Sequence, residues 1–178
     1  MGDMNSAYAV ANELLRDRLK DKSPEILRDL DEIEEADVIV TRGRHDHIES
    51  VLKQAETPFR MVLAEQIEHV GLRPDQIVFV NCPGEFSKGG LRNLVTFVEQ
   101  GGFLFTTDWA LRNVIEHAFP GVVEYNKQPT RDEVVRVEVL DSEDPFLASI
   151  LDADDDPQWW LEANSYPIRI LDAERVNV

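Results

Sequence analysis

Four side chains able to do acid–base or nucleophilic work stand in short loops of this chain: His45, Cys82, Glu85 and Asp108. Each follows a brief apolar run, which places it beyond the end of a strand. Cys82 is a candidate nucleophile with His45 or Glu85 as its partner, because a thiolate forms near neutral pH only beside a base or a cation. The competing assignment is a small buried turn residue, since an unpaired cysteine commonly packs as a hydrophobe. Glu85 suits a ligand hydroxyl or amine, and equally a polar turn. Asp108 lies in Thr107-Asp108-Trp109 at the start of a helical segment, where the helix dipole favours a carboxylate. It can act as a general base, accept from a ligand or cap the helix. Arg42, Asn81, Trp109 and Trp160 complete the set as ligand-binding candidates, the two tryptophans as stacking platforms for a sugar ring. Trp159 and Trp160 are adjacent, so on a strand only one of them can face a ligand.

Two patterns invite a metal. In His45-Asp46-His47 the ligands at i and i+2 can converge, but a third and fourth must come from elsewhere, such as Glu85 or Asp108. The simpler assignment is a helix-capping Asp46 flanked by two exposed histidines. The acidic run Asp152–Asp156 has the look of a calcium loop, yet its sixth and twelfth positions are Pro157 and Ala163 rather than Gly and Glu. No metal and no cofactor is assigned.

The elements that must position these residues follow from the apolar pattern. Val38–Thr41, Phe59–Leu63, Ile77–Val80 and Phe103–Thr106 are short apolar runs of the kind found in buried strands. Between them, Ile48 to Ala55 and Leu91 to Val98 carry helical stripes, with Asp46 and Glu49 spaced as a capping box for the first. Asn81-Cys82-Pro83-Gly84-Glu85 breaks the third strand, and Gly101-Gly102 stops the second helix. Strand, helix, strand is a crossover unit, which predicts a parallel sheet. A helix over about 110–118 follows the fourth strand. Residues 1–35 form a polar helical N-terminal extension in two pieces, with Ser23-Pro24 opening the second, and residues 36–178 form one α/β domain. Further strands are expected at Glu133–Leu140, Trp159–Leu161 and Ile168–Leu171, separated by an acidic connector that contains an apolar insert, Phe146 to Leu151. Arg175–Val178 reads as an unfinished strand, the mark of a truncated or larger parent chain.

Composition narrows the function classes. The chain has 178 residues, 35 acidic against 18 basic, and a formal net charge of −17. That field repels nucleic acid and anionic membranes. A single cysteine excludes an internal disulfide framework, and there is no apolar run long enough to span a membrane, so a cytoplasmic protein is expected.

The order of elements is that of a flavodoxin-like, doubly wound α/β domain. In detail the chain resembles the class I glutamine amidotransferase-like superfamily, nearest to ThuA-like (trehalose-utilisation-type) domains. The resemblance rests on Asp37–Val40 with Gly43 and His45, on Ile77–Gly84, on Leu94–Leu104 with its Gly101-Gly102, and on Asp144-Pro145-Phe146. It implies a nucleophilic cysteine on a sharp elbow after the fourth strand and a downstream histidine as its base. This chain departs there. The elbow holds Thr107-Asp108-Trp109, Cys82 lies one strand earlier, and no histidine follows His117. The expectation is a catalytically silent amidotransferase-like domain that binds or assembles within a larger system, with a protein partner or a second copy. The alternatives are a hydrolase built on Cys82, Asp108, Glu85 and His45, and a sugar-type binder using the crevice at the carboxyl ends of the strands.

Overall fold

A computed structural model describes residues 4–141, 144, 146 and 155–178. Its centre is a four-stranded, all-parallel sheet in the order β2-β1-β3-β4, flanked by helices. The strands are β1 (Val38–Thr41), β2 (Arg60–Val62), β3 (Ile77–Val80) and β4 (Phe103–Thr106). All four residues of β1 are buried, as a strand between two neighbours and under helices requires. The register aligns Ile39, Val78 and Leu104 on one face, and Val40, Phe79 and Phe105 on the other.

The first face meets helix α4 (Lys88–Glu99), whose Leu94 and Phe97 join Ile39, Val62, Ile67, Val78, Val80, Ala110 and Val114 in the buried core. Ser87 caps α4 by accepting from the Gly90 N–H at 3.0 Å. A 3-10 turn at Ala64–His69 is fixed to α4 by Asn93, whose amide donates to the carbonyls of Ile67 and Val70. Helix α1 (Met4–Lys22) packs against α2 (Pro24–Asp31) and α3 (Ile48–Gln54), with Asn12 donating to the Gln54 carbonyl.

Several expectations are corrected. Strand β4 is not buried on both faces: Phe103 and Phe105 are 40% and 42% exposed, because the sheet ends there. Among the described residues the chain after β4 adds no strand to the parallel sheet. It forms β5 (Val123–Tyr125), which the sequence reading missed, and β5 pairs antiparallel with β8 (Ile168–Ile170). A separate antiparallel ribbon joins β6 (Glu133–Arg136) to β7 (Gln158–Leu161), so the expected strand at 133–140 stops four residues early. The helix after β4 is a π turn, Leu111–Ile115, closed by the short α5 (Glu116–Ala118). The capping box at Asp46 and Glu49 is absent: α3 has no side-chain cap of its own. Arg175–Val178 forms no strand. The apolar insert beyond Phe146 and the first residues of the Asp152–Asp156 run lie outside the described residues. Among the described residues no helix is long and apolar enough to cross a membrane.

Candidate functional site

The chain passes from β1 outward to β2 and then back over β1 to β3. The strand order therefore reverses at β1 and β3, and a loop leaves the carboxyl end of each strand there. Two glycines let those loops approach. A Cβ on Gly43 would stand 2.4 Å from the Cβ of Asn81 and 2.6 Å from the Cys82 carbonyl oxygen, so no larger residue fits. Gly84 sits at φ +65, with Val80, Ala110 and Val114 about its missing Cβ. Between them the Cys82–Pro83 peptide is cis.

The contacts across these loops are dense. The Cys82 carbonyl accepts the N–H groups of Arg44 and His45 at 2.9 and 3.4 Å. The Cys82 N–H donates to Asp46 Oδ2 at 3.3 Å. Asn81 is fully buried and uses both ends of its amide. Its Oδ1 accepts the Ile48 N–H at 3.1 Å, and its Nδ2 donates to Glu49 Oε2 at 2.9 Å. Asn81 thus caps α3 from the neighbouring strand, the duty the sequence suggested for Asp46. Glu49 also meets His47 Nδ1 at 3.0 Å. Burial pushes the Glu49 carboxyl up, but its backbone hydrogen bond, His47 and Asn81 outweigh that and hold it below the ordinary glutamate value.

A tight turn follows β4. Asp108 occupies the left-handed region at φ +42, and the N–H groups of Ala110 and Leu111 turn back onto the Thr107 and Asp108 carbonyls. Asp is among the non-glycine residues that tolerate this conformation. Both of its carboxylate oxygens are taken. Oδ1 accepts the Tyr166 N–H at 2.7 Å, and Oδ2 accepts the Cys82 thiol at 3.8 Å. The buried Cys82 thiol is pushed up to about 11, chiefly by burial; a backbone hydrogen bond at Trp109 pulls the other way, and the carboxylates of Asp46 and Asp108 add to the rise. At neutral pH it is a protonated donor.

Trp109 turns into an aromatic cluster. Its ring lies 5.2 Å from that of Tyr125 and 5.5 Å from that of Tyr166, and its Nε1–H donates to the Asn164 carbonyl at 2.7 Å. The Arg112 guanidinium lies 5.9 Å from the indole centroid. The Tyr166 hydroxyl bonds Glu116 Oε1, which also accepts the Tyr125 N–H at 2.8 Å. Burial, then Glu116, raises the Tyr166 hydroxyl above its ordinary value.

The remaining candidates lie apart from this knot. Arg42, Arg44 and Glu85 line an open groove of about 360 Å³ with Leu63 and Glu65, and Arg44 pairs with Glu85 at 2.7 Å. Among the described residues the Arg42 guanidinium has no ion pair. His45 is exposed and joins Cys82 only through its backbone N–H. Trp160 stands on β7, in a different sheet. The structure therefore joins Cys82, Asp108 and Asn81 to one buried network, and places Arg42 and Glu85 together in the groove. Sequence reasoning missed Tyr166, Tyr125 and Glu116 as partners of the elbow. The one local signal was Ser165-Tyr166-Pro167 ahead of a short apolar run, which marks a strand approach. Among the described residues no group of three or more His, Cys, Asp or Glu side chains is placed to hold a metal.

No family model matches the chain, and neither a curated protein nor a solved structure gives a significant match.

Proposed function

We propose that this chain is a glutamine amidotransferase-like domain of ThuA-like kind, on a flavodoxin-like, doubly wound scaffold. Its elbow is catalytically silent, and it serves as a cytoplasmic binding and assembly module in a larger system. The observation that carries this reading is that both carboxylate oxygens of Asp108 are engaged within the fold. The residue standing where a nucleophile belongs has one oxygen on the Tyr166 N–H and the other on the Cys82 thiol. A nucleophile or base must face a substrate, whereas these contacts aim both oxygens at the protein's own donors. The raised thiol of Cys82 supports the same reading, because only a thiolate attacks. The fold spends these groups on holding β3, β4 and the approach to β8 together.

Release of ammonia from glutamine and hydrolysis of small activated esters test this reading. The wild type, Cys82→Ser and Asp108→Asn should all match the buffer blank. Turnover that is present in the wild type and lost in either variant would overturn the proposal.

A second reading, a small-molecule binder or hydrolase at the carboxyl ends of the strands, draws support from the groove. It places Arg42, which has no ion pair among the described residues, beside the Arg44–Glu85 pair in a volume that suits a small ligand. Saturable binding of such a ligand, abolished in Arg42→Ala, would favour it.

A further inference from the structure

The β6–β7 ribbon is built as if for a third strand. Among the described residues it is a sheet of two strands, and none of its residues joins the buried core. Such a ribbon is marginal in water when left by itself. Each strand has one neighbour among the described residues, so an outer row of backbone N–H and C=O groups on each is open to pairing.

Its large apolar side chains are exposed as well. Val134 stands directly opposite Trp160, and Val135 opposite Trp159. Trp160 is 66% exposed, Trp159 56% and Val134 60%. Exposed aromatic surface of this kind marks interaction sites. The surroundings are acidic: residues 131–141 and 155–162 hold seven carboxylates (Asp132, Glu133, Glu138, Asp141, Asp155, Asp156 and Glu162) against Arg131 and Arg136. Arg136 is already paired with Asp156 at 2.6 Å.

We infer that this ribbon is the docking site for an extended, basic segment of a partner protein, which adds a strand to its edge and covers Val134 and Trp160 with alternate apolar side chains. Strand addition supplies main-chain hydrogen bonds, while alternate side chains supply specificity. Charge selects the partner. A second copy of a chain with net charge −17 would bring two acidic rims together, whereas a lysine- or arginine-bearing strand meets them favourably. The inference rests on the binding-module reading and names the partner chemistry of that module.

The test uses the full chain and two synthetic ten-residue peptides of equal charge. One alternates Lys and Val. The other has the same lysines but Pro at two of the valine positions, which removes strand pairing. Tryptophan emission should shift to the blue with the alternating peptide, which should bind at least tenfold tighter than the proline peptide. Trp160→Ser should lose that advantage while its thermal midpoint stays unchanged, as befits an exposed residue. Equal affinity for both peptides would reveal mere adhesion to an acidic surface and overturn the inference. Undiminished selectivity in Trp160→Ser would overturn it as well. Either failure leaves the silence of the elbow untouched, and ester or glutamine turnover would leave the ribbon's selectivity untouched.

Discussion

The Cys82 thiol donates to Asp108 Oδ2 across 3.8 Å, tying the loop after β3 to the turn after β4. The contact is long and individually weak, but it is partly buried and lies beside the stronger Tyr166 N–H bond to the same carboxylate. Asp108→Ala removes both acceptors and leaves a non-glycine residue without polar compensation at φ +42. It should cost about 2–4 kcal/mol in urea unfolding. Asp108→Asn keeps one acceptor and the tolerated backbone, so it should cost about half as much.

The raised Cys82 thiol sets a pH dependence. In the unfolded chain the thiol ionises near its ordinary value of 9.0, while in the fold it stays protonated until about 11. Between those values the unfolded state binds fewer protons, so stability must fall as pH rises through that window. Urea midpoints at pH 8, 9.5 and 10.5 should decline more steeply in the wild type than in Cys82→Ser, which lacks the titrating group.

Asn81 caps α3 from β3 and restrains Glu49 at once. Asn81→Ala should cost about 1–3 kcal/mol, the loss expected when a buried cap leaves two partly buried partners. Asn81→Asp keeps the acceptor for the Ile48 N–H but sets a second carboxylate against Glu49. Its deficit should be largest near pH 7 and shrink as pH falls toward 4, where one of the pair takes up a proton. A deficit independent of pH would show that Asn81 and Glu49 do not interact.

Gly43 allows the loops after β1 and β3 to meet. Its Cβ would fall inside the contact distance of Asn81 and the Cys82 carbonyl, whose atoms are backbone or held by hydrogen bonds. Gly43→Ala should destabilise the fold by about 1–3 kcal/mol through steric displacement. Gly71→Ala, where the added carbon meets nothing, should be close to neutral and serves as the control.

The four parallel strands were legible in the sequence because buried strands read as continuous apolar runs, and Val38–Thr41 and Ile77–Val80 are such runs. Three of the four were expected at their observed limits, and β2 one residue longer at each end. The exposure of Phe103 and Phe105 was not legible, because an apolar run looks the same at the edge of a sheet as in its middle. Strand β5 was missed because three residues after Pro120-Gly121 carry too little periodicity to separate from a loop. The cap on α3 was misassigned for a related reason. Local spacing favoured Asp46, but the acceptor that reaches the Ile48 N–H comes from Asn81, 33 residues away. The same limit hid Tyr166, whose N–H reaches Asp108 across 58 positions. Cys82, Asn81 and Asp108 were visible as residue types beyond strand ends. That Asn81 and Asp108 spend their polar atoms on the fold itself is a tertiary fact.

The most direct measurement of elbow silence is the rate of Cys82 alkylation by iodoacetamide from pH 6 to 11, in the wild type and in Asp108→Asn. The account predicts slow reaction at neutral pH, a thiol titrating near 11, and a downward shift when the Asp108 charge is removed. A thiolate already formed near pH 7, lost rather than favoured in Asp108→Asn, would mean that Asp108 activates Cys82 and would contradict the account.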